Sequence, residues 1–260
     1  MAKAAPGAGQ SSDAWLGGRL TLIQPLGGHR VGTDAALLAA ALDIRAGRVV
    51  DVGAGVGAVG LAIASRCGDV SVDLVERDGA LAALAAENSA RNGLAARVRA
   101  LCADVLDAKA RREAGLADGA AEAVVTNPPF FAPGSVRASP DPGRARAHVA
   151  EAREGIAPLD AWIRASLALL APGGRFAMIH RPDALEAILS GIGRRLGGVA
   201  LLPVYPRAGA PAHRLVVSGM KGSRAPLRVV PGLVLHAADG GLTGEADAIH
   251  RGQALLDWGG

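Results

Sequence analysis

The sequence predicts an α/β fold, a doubly wound and mostly parallel sheet of seven strands with an antiparallel hairpin at one edge. Three observations carry this reading. From Arg48 onward short β-rich runs alternate with Ala-rich helical stretches, the alternation of βαβ units on a parallel sheet. The strands end at small or polar residues, and ligands of open α/β sheets gather at those carboxyl ends. Beyond residue 200 two strands follow one another with no helix between them, which points to an antiparallel pair.

The first strand, 49–52, is the run Val-Val-Asp-Val, and the glycines after it lead into an Ala/Leu/Ile helix over 59–66. A Val-rich second strand at 70–75 precedes the Ala-rich helix 79–92. The third strand is 98–102, and the fourth, 123–126, is stopped by Pro128 and Pro129. A helix over 160–170 leads to the fifth strand at 175–180, and a further helix over 183–196 follows. The last two strands, 200–204 and 215–218, flank a Pro/Gly loop and make the hairpin.

Ahead of this core, residues 15–47 form an N-terminal cap segment. It holds a short apolar stretch (Leu20, Leu22, Ile23), a turn at Gly27 and Gly28, and the apolar run 35–42, with Thr33 as candidate N-cap and Asp34 in the positive first turn. Residues 1–14 are expected to be a disordered leader and 15–258 a single domain, in which 48–180 is the core and 181–258 completes the sheet and carries a basic tail. The loop 131–156 holds three prolines with Arg137, Arg144, Arg146 and Arg153. Loops this long within a compact domain are usually functional or disordered.

Composition excludes several classes. Half of the 260 residues are hydrophobic, and Gly 36 with Pro 15 makes about a fifth of the chain, below the level of low-complexity sequence. No apolar run reaches the length of a membrane span, and the leader lacks a signal-peptide core. Cys67 and Cys102 are too few for a disulfide framework, so a reducing, cytoplasmic location is expected, with no membrane partner and a monomer favoured. The net charge is +4, and 25 of the 28 basic residues are Arg. From Ala187 to Leu235 there are seven basic residues (Arg194, Arg195, Arg207, Arg214, Lys221, Arg224, Arg228) and no Asp or Glu, a distribution that suits a polyanion or a merely solvated edge.

The first strand runs into Asp51-Val-Gly53-Ala54-Gly55-Val-Gly57, and glycines at this spacing let a backbone turn sharply and approach a ligand closely. Gly60 falls where a dinucleotide fingerprint places its last glycine. Glu76, ending the second strand, is placed to hold two ribose hydroxyls, and Asp104 after the third can accept from an adenine amine. A nicotinamide-dependent dehydrogenase would show the same pair, and each carboxylate alone could be a solvated strand end. Thr126-Asn127-Pro128-Pro129-Phe130-Phe131 separates these readings. Two prolines stop the strand and stiffen the backbone, with the Asn127 amide facing the cleft. An Asn oxygen and a backbone carbonyl, each accepting one N–H of a planar exocyclic amine, favour pyramidalisation and free its lone pair for attack on a methyl sulfonium. Phe130 can stack on the planar group.

In order and spacing, Asp51 to Gly57, Glu76, Asp104 and Asn127 to Phe130 resemble the S-adenosylmethionine-dependent methyltransferases of the small-domain class that modify planar amino groups. Gly32-Thr33-Asp34 before an apolar helix, the Asn-Pro-Pro-Phe-Phe run, Ala212-His213-Arg214 before a strand and Leu242-Thr243-Gly244-Glu245 look like the bacterial YfiC group of valine-tRNA adenine N6-methyltransferases, which act next to the anticodon. The resemblance covers roughly residues 15–258 and implies a Rossmann-like methyltransferase sheet. It implies S-adenosyl-L-methionine as cofactor, S-adenosyl-L-homocysteine as product and tRNA as partner. Asp51, Gly53, Ala54, Gly55 and Gly57 would then shape the floor beneath the methionine part, Glu76 would bind the ribose and Asp104 the adenine amine. Thr33 and Asp34 would close the site from the N-terminal side, and Asn127, Pro128, Pro129 and Phe130 would hold the target amine. Phe130 stands where many amino methyltransferases carry Tyr, which keeps the stacking face and drops a hydroxyl.

Transfer in this class is a direct displacement that relies on positioning and needs no metal, and the six histidines show no ligand spacing. Cys67 and Cys102 read as buried filler rather than nucleophiles. For RNA, Arg137, Arg144 and Arg146 in the loop and Arg194, Arg195, Arg214, Lys221 and Arg224 in the tail are the expected phosphate contacts. A tRNA loop also offers an adenine that can be splayed out cheaply. A protein-glutamine methyltransferase would carry a helical domain ahead of the glycine motif, and a DNA adenine methyltransferase an Asp at position 127 with a recognition domain. Ribosomal guanine-amine methyltransferases share Asn-Pro-Pro-Phe and stay open. A non-catalytic binding module would not need Asn127 and the loop glycines intact together.

Overall fold

The parallel core follows the β-rich runs. The computed structural model describes residues 7, 9–27, 30–129 and 158–259. In it β3 (Ala46–Val52), β4 (Asp69–Glu76), β5 (Val98–Cys102), β6 (Ala121–Thr126) and β7 (Leu170–His180) pair in parallel. Val49, Val50, Val52, Val124 and Val125 are at most 2% exposed, the near-continuous apolar content of strands covered on both faces. Phe130, Phe131 and the 131–156 loop with Arg137, Arg144 and Arg146 lie outside the described residues, as does Gly28.

Between the strands run α2 (Ala58–Arg66), α3 (Gly79–Arg91), α4 (Ala108–Glu113) and α5 (Pro158–Leu169). Asp78 caps α3 by accepting from the amides of Ala80 and Leu81, and Asp107 caps α4 through Lys109 and Ala110. One sheet face is covered by α1 (Thr33–Ala39), α2 and α7 (Gly244–His250) through Leu37, Leu38, Leu61, Ile63 and Ile249. The other is covered by α5 and α6 (Leu185–Ile192) through Ile163, Leu167 and Ile188. Among the described residues no helix is long and apolar enough to cross a membrane.

The strand order is β10-β8-β9-β7-β6-β3-β4-β5, with β11 also paired to β8. Here β8 (Leu196–Arg207) and β9 (Arg214–Lys221) are the antiparallel hairpin. The seven strands from β5 to β8 are those expected. β10 (Arg228–Val229) and β11 (Leu233–His236) enlarge the sheet to nine, a correction with a simple cause: pieces of two and four residues around Pro231 and Gly232 carry no readable periodicity. The sheet grows in both directions from β3, with β4 on one side and β6 on the other, which opens a crevice at the carboxyl ends of β3 and β6.

Three local expectations are corrected. Residues 10–14 belong to β1 (Gln10–Trp15), which pairs antiparallel with β2 (Leu20–Pro25), instead of forming a leader. The polar run has no apolar alternation to betray it; it is held by the ladder and by Asp13, which accepts from Ser11, Gln24 and Arg30. Gly32, not Thr33, is the N-cap of α1, and the Thr33 hydroxyl instead meets His250 Nε2 at 3.1 Å. The helix expected over 183–196 is one 3-10 turn followed by α6, and it stops at Gly193.

Gly60 of α2 lies against β4: a Cβ there would stand 2.3 Å from Leu74 Cδ2 and 2.8 Å from Val72 Cγ1. Both neighbours are core residues with little room to shift, so Gly60→Ala is expected to destabilise the fold by about 1–3 kcal/mol. Urea unfolding would show it as a lower midpoint at unchanged slope; an unchanged midpoint would mean that helix and strand slide apart freely.

Candidate active site

The glycine loop between β3 and α2 is shaped by backbone angles that favour glycine. Gly53 sits at φ +74° and Gly57, the N-cap of α2, at φ +88°. The amides of Gly53 and Ala54 both donate to the Val75 carbonyl, at 2.8 and 3.0 Å, which ties the loop to the end of β4. A side chain at Gly53 would strike Trp162, its Cβ falling 2.9 Å from the indole Cζ2.

Glu76 then closes the turn: one carboxylate oxygen accepts from Gly55 N–H at 2.9 Å and the other from Asp78 N–H at 2.9 Å. Past β5, Asp104 accepts from Leu106 N–H at 2.9 Å through one oxygen. A cavity of about 610 Å³ joins these groups, lined by Asp51, Gly53, Ala54, Gly55, Glu76 and Asp104 on one side and Asn127, Pro128 and Pro129 on the other. Gly57 is not among the lining residues; it starts the helix beneath the loop.

The Asn-Pro-Pro end of β6 is fixed from below. Thr126 Oγ1 donates to the Val52 carbonyl at 2.8 Å and accepts from Trp162 Nε1 at 2.8 Å, so a buried relay locks β6 to β3 and to α5. Trp162, Val31, Ala35, Arg77, Leu81 and Val105 also line the cavity and were not expected there. For Trp162 one signal existed, since an indole N–H in an apolar helix needs a buried acceptor.

Other expected site residues lie elsewhere. Thr33 is turned to His250, away from the cavity that its neighbours Val31 and Ala35 line. Asp34 holds Arg214, whose Nε lies 2.8 and 3.0 Å from the two carboxylate oxygens. Arg214 is therefore engaged within the protein rather than presented outward. Lys221 is likewise turned inward, donating to the carbonyls of Leu167 and Leu170 at the end of α5. Leu196 pairs with Lys221, and Met220 with Arg175, so Arg194, Arg195 and Arg224 sit at the end of the sheet opposite the cleft. Cys102 is exposed and Cys67 partly buried, which corrects the reading of both as buried filler; each ends its element, where cover is thinner.

Asp51 is 2% exposed and accepts from Gly60 N–H at 2.9 Å. Burial pushes its carboxyl up to about 7; the Gly60 hydrogen bond opposes this, and the charge of Glu76 adds to it. The folded chain thus keeps a proton that an unfolded aspartate releases near 3.8. Stability falls as pH rises through that window and stays low above about 7. Asn at position 51 keeps an acceptor without the charge. Asp51→Asn is therefore expected to gain on the order of 2–4 kcal/mol over the parent between pH 5 and pH 8. Parallel urea curves at the two pH values would refute this.

A glycine-walled cradle that admits no Cβ at Gly53, a carboxylate at the end of each of two neighbouring strands and a cavity in the size range of nucleoside cofactors fit S-adenosylmethionine. Fold and site together define an S-adenosylmethionine-dependent N-methyltransferase. Comparison with known proteins agrees. Residues 27–141 match the family described as methyltransferase small domain. A protein of Aeromonas hydrophila named tRNA1(Val) (adenine(37)-N6)-methyltransferase is 32% identical over 219 residues, covering 81% of this chain and 84% of its own. One of the same name from Serratia proteamaculans is 33% identical over 192 residues, 73% of this chain and 70% of its own. A solved structure from Agrobacterium tumefaciens, described as a predicted O-methyltransferase, is 34% identical with a TM-score of 0.71, covering 86% of this chain and 98% of that one. A 16S rRNA N2 methyltransferase of Thermus thermophilus, solved with AdoMet and guanosine, shares the fold at 23% identity and a TM-score of 0.55, over 82% of this chain and 50% of that one. The chain belongs to the small-domain methyltransferase family, in the branch of these adenine-N6 relatives.

Proposed function

We propose that this chain methylates the exocyclic N6 amine of an adenine in tRNA, next to the anticodon of valine tRNA. The observation that carries the reading is Asn127, held at the end of β6 by Thr126 and Trp162 and lining the same cavity as Gly53, Glu76 and Asp104. The names of the relatives support adenine and tRNA as base and substrate.

When bound, S-adenosylmethionine supplies an electrophilic methyl group on a sulfonium. The chain's own residues bind and orient. The Glu76 carboxylate, already holding Gly55, offers its remaining lone pairs to the ribose, and the free oxygen of Asp104 accepts from the adenine amine. Asn127 Oδ1 and a backbone carbonyl of the Pro128-Pro129 pair accept the two N–H bonds of the target amine, which pulls it from conjugation with the ring. Pro128 and Pro129 leave this segment few conformations, so the acceptors are in place before substrate arrives. Val31 and Ala35 wall the cavity on the α1 side and keep water from the reacting atoms.

The test is incubation with labelled S-adenosylmethionine and total RNA from a strain lacking this gene, followed by nucleoside mass spectrometry. N6-methyladenosine in the tRNA fraction is expected. N2-methylguanosine in ribosomal RNA, or label in protein alone, would overturn the substrate while leaving the cofactor chemistry in place.

A further inference from the structure

Across residues 187–235 the chain has no Asp or Glu, and five of its arginines there, Arg194, Arg195, Arg207, Arg224 and Arg228, are exposed. Among the described residues none of the five enters an ion pair. Two arginines near the cleft end are engaged within the protein: Arg181 is bound to Asp183 and Arg214 to Asp34. Unpaired like charges repel one another and destabilise the compact state, so a cluster of them fits a surface whose counter-charge comes from a partner.

The register sets the five in a row. Arg194 and Arg195 immediately precede β8, whose Leu196 pairs with Lys221 at the end remote from the cleft. The Gly198 amide donates to the Ala225 carbonyl at 2.7 Å, which brings Arg224 beside the same end. Arg228 pairs with Ala200 further along, and Arg207 closes β8 at the cleft end, opposite His236 of β11. The 12 residues of β8 span about 36 Å. The arginines therefore line the β10/β11 edge, with Arg194, Arg195 and Arg224 toward the far end of the sheet, Arg228 level with Val125, and Arg207 beyond the level of Asn127.

We propose that this edge is an RNA track: its arginines hold the sugar–phosphate backbone of a stem while the stem's loop enters the cleft. The inference rests on the RNA substrate proposed above and adds to it the surface that selects a folded RNA over a free loop. Guanidinium groups suit it, since each forks onto phosphate oxygens and keeps its charge at any physiological pH. Thr126 is level with Leu201 through Met178 and Val217, so Arg194 and Arg195 stand about 20–23 Å along the sheet from the strand end that carries Asn127, beyond the loop nucleotide being modified, and would meet the stem.

The experiment compares the full chain with the triple variant Arg194→Gln, Arg195→Gln, Arg224→Gln, measuring binding of full-length valine tRNA and of a single-stranded oligonucleotide of its anticodon loop across a salt series. For tRNA, Kd at physiological salt is expected to rise about tenfold, and the slope of log Kd against log salt to flatten by about 2–3. For the loop oligonucleotide, which has no stem, Kd is expected to stay within about twofold. An unchanged slope, or equal weakening for both RNAs, would overturn the track. So would a change in sedimenting mass of the variant, since the exposed Leu227 and Val229 beside Arg228 would then mark the edge as a contact between copies. Should the unaltered protein label no RNA, the substrate reading fails; should it methylate tRNA while the slope stays unchanged, only the track fails.

Discussion

Asn127→Ala is expected to lower kcat by about 10³-fold while the Kd for S-adenosylmethionine moves less than about threefold. The asymmetry follows from where the amide sits. Gly53, Glu76 and Asp104 form one wall of the cavity, and Asn127 with the two prolines forms the other. Removing the side-chain oxygen leaves the cofactor wall untouched and takes away an acceptor that matters most as the amine leaves the plane of its ring. Asn127→Asp keeps an oxygen there and is expected to recover part of the loss. Thr126 stays locked between Val52 and Trp162 in either variant, so the strand end should not collapse. Single-turnover kinetics beside calorimetric cofactor binding checks this, and an equal fall in both would show that Asn127 serves the cofactor instead.

The second large effect is expected at Glu76. Glu76→Ala should raise the Kd for S-adenosylmethionine about 100-fold, with kcat at saturating cofactor within a few-fold of the parent. The carboxylate accepts from Gly55 and from Asp78, both at 2.9 Å, so its loss frees the glycine loop as well as removing the proposed ribose acceptor. Hydrogen bonds to a charged group contribute about 1.5–3 kcal/mol each, and two lost contacts of the lower size account for such a change. Glu76→Gln retains an acceptor but not the charge and should fall between. Calorimetry with S-adenosylmethionine and, in parallel, with NAD settles the matter; tighter binding of NAD by the parent would overturn the cofactor itself.

The parts of the site that could be read before folding are those attached to strand ends. Asp51 and Glu76 lie in the last residues of a β-rich run and Gly53, Asp104 and Asn127 just after one, and in a parallel sheet every such position emerges on the same rim, so local pattern is enough to gather them. The same logic located the hairpin, because two strands without a crossover must be antiparallel. It failed for Thr33, where a residue suited to capping faces His250 and the cap falls to Gly32. It failed for β1, whose order comes from β2 and from Asp13 rather than from its own residues. Trp162, Val31 and Ala35 reach the cavity only through packing of α5 and α1 on the sheet.

Charge shows the division most clearly. The sequence by itself determined that the stretch 187–235 is basic and free of carboxylates, and that Glu76, Asp104 and Asn127 fall at strand ends, since both follow from residue order alone. Only the tertiary structure decided which cations stay available. Asp34 comes from 180 residues away to bind Arg214, and the end of α5 takes Lys221, while Arg194, Arg195 and Arg224 remain exposed at the opposite end of the sheet. The physical reason is that strand position along the chain fixes direction and spacing, whereas a side chain's partner is whatever the fold brings within a few ångströms of it.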